Sequence, residues 1–231
     1  MKVGIISSSG GSAFLSAFDI LLSCEILSEN DFIVITDRPC DCESGCEARG
    51  IQVERIESDD VQYFSQRASE KLLEMKCDIV LLFFTRIVTG DLYTKLPTLN
   101  IHPSLLPSFV GFGAVRNAVN AGVKFLGATL HMVNKDLDAG QIMGQVITPV
   151  SPYYTESELN KISYIQKIFL TLCLIDLVNE GYMSFDPSTQ SLAWLRQPEA
   201  TCSTNPCLVS EGLKKAFIRL QNSAGIKALS L

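Results

Sequence analysis

The stretch LNIHPSLLPSF at residues 99–109 contains His102, one of only two histidines in the chain. Asn100 and His102 are two residues apart in a strand-like sequence, so both side chains leave the same face. An asparagine amide donates hydrogen bonds, and a histidine can donate or transfer a proton near neutral pH. Such a pair suits a developing oxyanion and a proton transfer, which acyl transfer to an amine requires. These residues alone leave open a purely structural turn histidine.

A second polar stretch, HMVNKDLDAGQI at residues 131–142, could supply a carboxylate to this pair. Asp136 and Asp138 lie in a predicted loop directly after a predicted strand. A carboxylate beside His102 would favour the imidazolium form and orient the ring. The other histidine, His131, lies within the predicted strand, and we expect it to be structural.

A third stretch, SSSGGSAF at residues 7–14, follows the first predicted strand and opens the first predicted helix. Small residues let the backbone approach a ligand, and a helix N-terminus favours an anion. The stretch matches neither G-x-G-x-x-G nor a Walker A motif. Two interpretations remain open: a loop for one phosphate or carboxylate, using Gly10, Gly11 and Ser12, and a tight strand-to-helix turn with Ser12 as N-cap.

Eight cysteines are present, and Cys40, Cys42 and Cys46 form C-x-C-x3-C in a predicted loop. A structural zinc site needs four ligands with a recognisable second pair. Cys202 and Cys207 lie far away in sequence. We therefore expect reduced thiols, as in a cytosolic protein, and no metal.

The elements that position these groups are predicted by alternating apolar and helical patterns over the first 180 residues. Strands alternating with helices imply βαβ units, and so an α/β, Rossmann-like three-layer fold with a mostly parallel sheet. Ligands then bind outside the carboxyl ends of the strands, where Pro103 ends TLNIH. The predicted strands are KVGIIS, DFIVITD, IQVERI, DIVLLFF, TLNIH, GATLHMV and QIMGQVITPV, the last at the sheet edge.

After residue 182 the pattern changes. MSFDPSTQSLAWL predicts a hairpin with its turn at residues 186–189, EATCSTNPC a loop and SEGLKKAFIRLQN a helix. We therefore expect an α/β domain at residues 1–182 and a C-terminal extension at 183–231, packed on the same domain.

The composition excludes some classes of function. The chain has 231 residues, 47% hydrophobic and 19% charged, with a net charge of −6. Without Lys/Arg clusters it lacks the electrostatic footprint of a nucleic-acid binder. The N-terminal apolar stretch is too short for a signal peptide, and no apolar run approaches the length needed to span a bilayer. We expect a cytoplasmic protein that does not bind membranes.

NIHPSLLPSF followed by GATLHMVNKDLDAGQIMGQ resembles the folate-dependent formyltransferases, closest to the glycinamide ribonucleotide transformylase branch. FFTRIV at 83–88 resembles the segment that holds the pterin ring of the folate in that family. IISSSGGSAF at 5–14 resembles its substrate-phosphate loop. The similarity runs from residue 1 to about 180 and is specific through 98–145. It implies transfer of a formyl group from 10-formyltetrahydrofolate to the amine of a small acceptor, without a metal.

The resemblance also implies roles for individual residues. Asn100 and His102 would polarise the formyl carbonyl, His102 would be the general acid, and Asp138 would set its protonation and orientation. The folate-binding residues implied are Thr85, Arg86, Ile87, Val88, Asn134, Lys135 and Asp136. The acceptor-binding residues implied are Gly10, Gly11, Ser12, Ala13 and Gln166.

Three departures from the family pattern all touch the acceptor side. Ala13 replaces an asparagine, Gln166 replaces a glutamate that meets the substrate amine, and FVGFGAV at 109–115 replaces Pro-Gly-Leu-His-Thr. The acceptor is therefore open between glycinamide ribonucleotide, an amino sugar and an amino-acid derivative. A homodimer is compatible with the sequence.

Rival functions remain. A formyltetrahydrofolate hydrolase usually carries an N-terminal regulatory domain, and here the first strand begins at residue 2. An initiator-tRNA formyltransferase needs a basic surface, which an acidic chain does not offer. A non-catalytic folate- or anion-binding module would need none of Asn100, His102 and Asp138.

Overall fold

Ten strands and seven α-helices make up most of the chain that the computed structural model describes, namely residues 1–151, 153–186, 191–226 and 228–231. The strands are β1 (Val3–Ser7), β2 (Phe32–Thr36), β3 (Gln52–Arg55), β4 (Ile79–Phe83), β5 (Thr98–His102), β6 (Phe125–Met132), β7 (Ile142–Pro149), β8 (Met183–Asp186), β9 (Ser191–Trp194) and β10 (Thr204–Asn205). The helices are α1 (Ser12–Ser23), α2 (Asp41–Glu47), α3 (Val61–Glu74), α4 (Gly90–Tyr93), α5 (Ala114–Asn120), α6 (Glu156–Asn179) and α7 (Glu211–Ser223).

Eight strands form one sheet in the order β10-β7-β6-β5-β4-β1-β2-β3. The strands β1 to β5 pair in parallel, whereas β6, β7 and β10 are added antiparallel. The predicted α/β fold with a mostly parallel sheet is confirmed. The strand order reverses between β1 and β4, and the loops that follow these two strands therefore open a crevice at their carboxyl ends.

The central strands β1 and β4 read as continuous apolar runs because helices cover both faces of the sheet. One core lies between the sheet and the helices α1 and α6, and includes Phe14, Phe18 and Phe169. A second core on the other face includes Phe64 and Leu72 of α3. These two cores produce the three layers that the sequence predicts.

Helix starts follow from local chemistry. The carboxylate of Asp60 caps α3 by accepting from the backbone N–H groups of Gln62 and Tyr63 at 2.8 and 3.0 Å. Thr155 and Glu158 form a reciprocal capping box at the start of α6. Both helices thus begin directly after a residue whose side chain accepts from their first N–H groups.

The 24-residue helix α6 ends before Gly181, whose φ of +69° suits glycine. By length and composition it could cross a membrane, although the sequence offered no uninterrupted apolar run of that length. In the protein 78% of its most apolar window is buried. It is the central helix of the larger core.

The C-terminal extension, residues 183–231, adds to this same core. Phe217 of α7 packs edge-on against Phe169 of α6, with ring centroids 5.3 Å apart. Strands β8 and β9 pair antiparallel as a separate two-stranded sheet, which is the predicted hairpin. Of its predicted turn at residues 186–189, residues 187–189 lie outside the described part of the chain.

The prediction that β7 lies at the sheet edge was wrong. Thr204 and Asn205, in a stretch predicted to be a loop, pair antiparallel with Val146 and Gln145 as the two-residue strand β10. Such a short pairing is set by tertiary contact and leaves no periodic signal in the sequence.

Two local predictions also need correction. Ser12 is the first residue of α1 and not its N-cap; that position is Gly11, with a φ of +59° and no side-chain cap. The cysteine-rich stretch is helical and not a loop. Cys42 and Cys46 lie one turn apart on α2, where both are fully buried and their sulfurs are 3.9 Å apart.

Candidate active site

The pairing of β5 with β6 brings the two histidines of the chain to one place. Asn100 lies opposite His131 and His102 lies opposite Thr129 in the antiparallel register. The Asn100 amide nitrogen is 3.3 Å from His131 Nε2. His131 is therefore a neighbour of the predicted catalytic pair, which its position within a strand did not indicate.

The turn after β6 returns Asp138 to these histidines. Asn134 closes the turn by accepting from the backbone N–H of Asp136 at 2.9 Å. Asp138 has a φ of +51°, and its Oδ2 lies 3.2 Å from His102 Nδ1. Its Oδ1 lies 3.6 Å from His131 Nε2. The structure thus brings Asn100, His102 and Asp138 together, as their spacing predicts.

Both ring nitrogens of His102 face acceptors. Nδ1 faces the Asp138 carboxylate, and Nε2 lies 2.8 Å from the carbonyl oxygen of Phe109. A ring that hydrogen-bonds the Phe109 carbonyl through Nε2 carries a proton on that nitrogen. The geometry therefore places a proton on Nε2, from which it can be delivered, and sets the Asp138 carboxylate beside Nδ1.

The two histidine rings differ in which nitrogen donates a hydrogen bond. Burial lowers the pKa of His131, although the Met132 carbonyl and the Asp138 carboxylate oppose this shift. The Nδ1–H of the neutral ring donates to the Met132 carbonyl at 2.9 Å, which leaves Nε2 as an acceptor. Nε2 then accepts from the Asn100 amide, so His131 orients that amide.

The loop between β5 and α5 covers His102. The buried hydroxyl of Thr129 anchors this loop: it donates to the carbonyl of Ser104 and accepts from the backbone N–H of Leu106. Further along, the backbone N–H of Gly111 donates to Asp138 Oδ2 at 2.8 Å. The same carboxylate oxygen thereby contacts the His102 ring and the covering loop.

A cavity of about 380 Å³ opens at the crevice between β1 and β4. It joins the loop after β1 to Asn100 on β5 and to one face of α6. Of the predicted acceptor residues, Gly11, Ser12 and Ala13 line it, whereas Gly10 does not. Its lining residues are Ser9, Gly11, Ser12, Ala13, Leu82, Phe83, Phe84, Thr85, Asn100, Ile101, Pro103, Val115, Asn160, Ser163, Tyr164 and Lys167.

The assignment of Gln166 to the acceptor site does not agree with the structure. Its side chain is fully buried in the core, where its amide donates to the Leu126 carbonyl at 3.0 Å and to the Thr148 hydroxyl at 2.9 Å. The next residue, Lys167, lines the cavity instead. Successive helix residues point about 100° apart, so neighbours can face the core and the cavity.

The predicted folate segment after β4 is tied down in two places. The backbone N–H of Thr85 donates to the hydroxyl of Ser8, and the hydroxyls of the two residues are also hydrogen-bonded. Val88 is buried in the second core, whereas Ile87 is exposed. Ile87 therefore exposes an apolar side chain at the surface, and the packing of Val88 in the second core holds the segment in place.

The guanidinium of Arg86 is engaged within the protein. Its guanidinium donates to Asp37 at 3.1 Å and to the carbonyls of Ser58 and Asp59 at 2.7 and 2.8 Å. Burial alone would raise the pKa of Asp37, yet hydrogen bonds from Arg38 and Arg86 lower it below its usual value. The role of Arg86 in folate binding stays a prediction.

The turn residues of the predicted folate site are at the surface. Asn134, Lys135 and Asp136 are exposed, as is the apolar Leu137 beside them. Within the described residues, no group of three His, Cys, Asp or Glu side chains forms a site that could hold a metal ion. The predicted roles of these residues in folate binding stay predictions.

The family model described as formyl transferase matches residues 1–166. Glycinamide ribonucleotide transformylase 1 from Symbiobacterium toebii is similar at 27% identity and a TM-score of 0.73, over 84% of this chain and 94% of that one. A formyltetrahydrofolate deformylase from Pseudomonas syringae pv. tomato is similar at 25% identity and a TM-score of 0.70, over 84% and 65% of the respective chains.

Among curated proteins, the human trifunctional purine biosynthetic protein adenosine-3 is 36% identical over 129 residues. That match spans 54% of this chain and 13% of the human protein. The formyltetrahydrofolate deformylase of Escherichia coli K12 is 37% identical over 83 residues, which are 35% of this chain and 30% of the relative. The chain thus covers less than a third of either relative. The family model covers well over half of this chain. The chain therefore belongs to the formyl transferase family.

Proposed function

We propose that the protein transfers the formyl group of 10-formyltetrahydrofolate to the primary amine of a small acceptor. The observation that supports this most is the contact of His102 with Asp138 beside an Asn100 amide that lines the cavity. A donor amide and a ring N–H that is held beside a carboxylate meet the needs of a formyl carbonyl that becomes an oxyanion. A binding module needs neither.

The reaction would proceed by addition and elimination. The acceptor amine attacks the formyl carbon, and the oxygen takes the negative charge. The Phe109 carbonyl, bonded to His102 Nε2 here, stands in for this oxygen. Asn100 and His102 donate to the oxyanion. His102 then passes a proton to N10 of the folate, and the attacking nitrogen, which is an ammonium after addition, returns a proton to His102. The bond between N10 and the formyl carbon breaks, and tetrahydrofolate and the formylated amine leave.

Glycinamide ribonucleotide is the first acceptor to test, because similar solved structures carry that transformylase name. This acceptor would place the protein in purine biosynthesis. Hydrolysis of formyltetrahydrofolate is the second candidate, with water in place of the amine. Its support is the similarity to proteins named formyltetrahydrofolate deformylase.

The test follows tetrahydrofolate release from 10-formyltetrahydrofolate by absorbance. Reactions contain no acceptor, glycinamide ribonucleotide, or one of a panel of small amines and amino sugars. Release that requires an amine supports the transferase, and the amine that works identifies the acceptor. Release without any amine would favour the hydrolase. The Asn100→Leu variant is the control, and its release should fall by roughly 10²–10³ because an oxyanion donor is lost.

We further propose that the protein is cytoplasmic and uses no metal, and that it can act as a monomer or a homodimer. Its eight cysteines are free thiols, including the exposed Cys202, which a reducing compartment maintains. Cell fractionation tests the location, and light scattering measures the oligomeric state. Turnover that is unchanged after treatment with a chelator is the expected result for a reaction without metal.

A further inference from the structure

Four residues lie side by side in a row across the antiparallel part of the sheet. His102 on β5 lies opposite Thr129 on β6, and Thr129 lies opposite Gln145 on β7. On the outer side, Gln145 lies opposite Asn205 of the C-terminal strand β10. Directly opposed residues send their side chains to the same face of a sheet. The side chains of Thr129 and Gln145 therefore stand on the face from which His102 projects.

The loop that covers His102 is bonded to two members of this row. The Thr129 hydroxyl donates to the Ser104 carbonyl and accepts from the backbone N–H of Leu106. The Gln145 amide adds two further hydrogen bonds, because its Nε2 donates to the Leu106 carbonyl at 3.1 Å and to Thr129 Oγ1 at 3.0 Å. Both amide protons of Gln145 are thereby used, and so are the donor and both acceptor positions of the Thr129 hydroxyl.

Residues 103–108, the base of this loop, are held as one unit. The backbone N–H of Ser108 donates to the Leu105 carbonyl at 2.9 Å, and the Ser104 hydroxyl donates to the Ser108 carbonyl. Leu105 packs so closely on β6 that a Cβ atom at Gly127 would lie 2.4 Å from its Cγ. Hydrogen bonds and packing therefore tie the base of the loop to the sheet.

Residues 109–113, the tip of the loop, are more exposed. Val110 and Phe112 are 46% and 71% exposed. Phe109 has a φ of +54°, which residues other than glycine rarely adopt. The carbonyl of Phe109 lies 2.8 Å from His102 Nε2. The tip thus covers the nitrogen that would donate to the formyl oxygen.

Formyl transfer requires the base and the tip to behave differently. The formyl oxygen can reach His102 Nε2 only after the Phe109 carbonyl has left it. His102 is 4% exposed and does not line the cavity, whereas Asn100 does. The His102 ring must therefore keep its place beside Asn100 while the tip moves away. A misplacement of about 1 Å can cost on the order of 10²-fold in rate.

We propose that Gln145 is a positioning residue for formyl transfer, which holds the base of the loop on the sheet so that the tip can open without displacing His102. Gln145 acts through Thr129 and Leu106, to which its amide is bonded. The pairing with Asn205 holds the backbone of Gln145 from the outer side, which connects the C-terminal extension to the active site. This inference rests on the proposed function and adds a residue of β7 to the groups that set its geometry.

The experiment compares variants of the full chain. Gln145→Met removes the amide donors at nearly constant length. Thr129→Val removes the hydroxyl that receives one of these bonds, and Thr129→Ser retains it. Thr148→Val is the matched control, because the Thr148 hydroxyl also accepts from a glutamine amide and donates to a backbone carbonyl. The partners of Thr148 are Gln166 and Ala228, which are not part of the loop.

The first measurement is nitrogen-15 NMR of the histidine rings, without folate or acceptor. The chain has two histidines, so two sets of ring signals are expected, and the set that is lost in His102→Asn belongs to His102. These signals should shift or broaden in Gln145→Met and Thr129→Val. In Thr129→Ser and Thr148→Val they should match those of the unchanged protein.

The second measurement is steady-state release of tetrahydrofolate with the acceptor that supports turnover. We expect the kcat of Gln145→Met to fall by about 10- to 100-fold, because His102 is displaced from the reacting atoms. The KM for 10-formyltetrahydrofolate should stay the same, since substrate binding is not altered. Thr129→Val should behave likewise, and Thr129→Ser should retain its kcat. Thr148→Val should lose stability in urea denaturation and yet keep its kcat.

Two results would overturn the inference. One is a Gln145→Met protein that keeps either its kcat or its His102 ring signals. The other is an equal loss of kcat in Thr148→Val at matched stability, which would reduce the effect to general destabilisation. The NMR measurement does not depend on catalysis. Altered His102 signals in Gln145→Met, together with an unchanged protein that formylates no amine, would count against the proposed function alone.

Discussion

At the level of residues, the interaction of His102 with Asp138 was predictable, whereas the role of His131 was not. Spacing along the chain placed a carboxylate after the strand next to His102. The position of His131 depends on the register between β5 and β6, which pairs it with Asn100. A shift of one residue would send its side chain to the other face, and no sequence pattern fixed that register.

Replacement of His102 by asparagine tests the proton-transfer role. We expect turnover of 10-formyltetrahydrofolate with its acceptor to fall by roughly 10²–10⁴, since proton transfer is lost while Asn100 remains. Steady-state kinetics measure the rate, and a thermal melt shows that the fold persists. A variant that turns over as fast as the unchanged protein would rule out His102 as the general acid.

At the level of elements, continuous apolar runs such as DIVLLFF predicted the central strands. The orientation of α6 was not predictable. Most of this helix is buried, so its apolar residues do not mark a single face. The family resemblance assigned Gln166 to the acceptor site although it faces the core, and Lys167 was overlooked.

The turn that carries Asp138 depends on Gly140. A Cβ atom at this position would lie 1.7 Å from the backbone carbonyl oxygen of Met132, which cannot be accommodated without a backbone shift. We expect Gly140→Ala to destabilise the protein by roughly 1–3 kcal/mol. The displaced turn should also lower turnover, because Asp138 moves away from His102.

Urea denaturation and steady-state kinetics measure both effects of Gly140→Ala. Gly212→Ala is the matched control, since a Cβ there has ordinary contact distances in α7. That control should be neutral or stabilising by about 0.4–1 kcal/mol. A Gly140→Ala protein with unchanged stability and turnover would show that the turn does not position Asp138.

At the level of the whole molecule, a chain of buried hydrogen bonds links three distant segments. The Gln166 amide on α6 donates to the Thr148 hydroxyl on β7, which donates to the Ala228 carbonyl at 2.6 Å. The residues lie up to 80 positions apart in sequence. No local pattern predicts such a contact, which explains why the packing of the C-terminal extension could be expected only in outline.

Substitution of Thr148 by valine should break this chain at its centre. The Gln166 amide and the Ala228 carbonyl then lose a buried partner, at a cost of roughly 1–3 kcal/mol in the free energy of unfolding. Gln166→Met should also be destabilising, yet leave KM for the acceptor unchanged because its side chain does not reach the cavity. Urea denaturation and acceptor titrations measure these quantities.

The double variant sharpens this test. If Gln166 and Thr148 stabilise each other, their combined effect is smaller than the sum of the single effects. Strict additivity would argue that the two residues act independently. A higher KM for the acceptor in Gln166→Met would restore Gln166 to the acceptor site and contradict the structural role.

The strand β10 has a consequence for biosynthesis. It pairs with Gln145 and Val146 at the edge of β7, but the ribosome makes it well after β7 and the whole of α6. Until then the nascent chain presents β7 as an open edge with unpaired backbone groups, the kind of surface on which chains aggregate. Synthesis of this protein should therefore place its greatest demand on chaperones in the interval between α6 and β10.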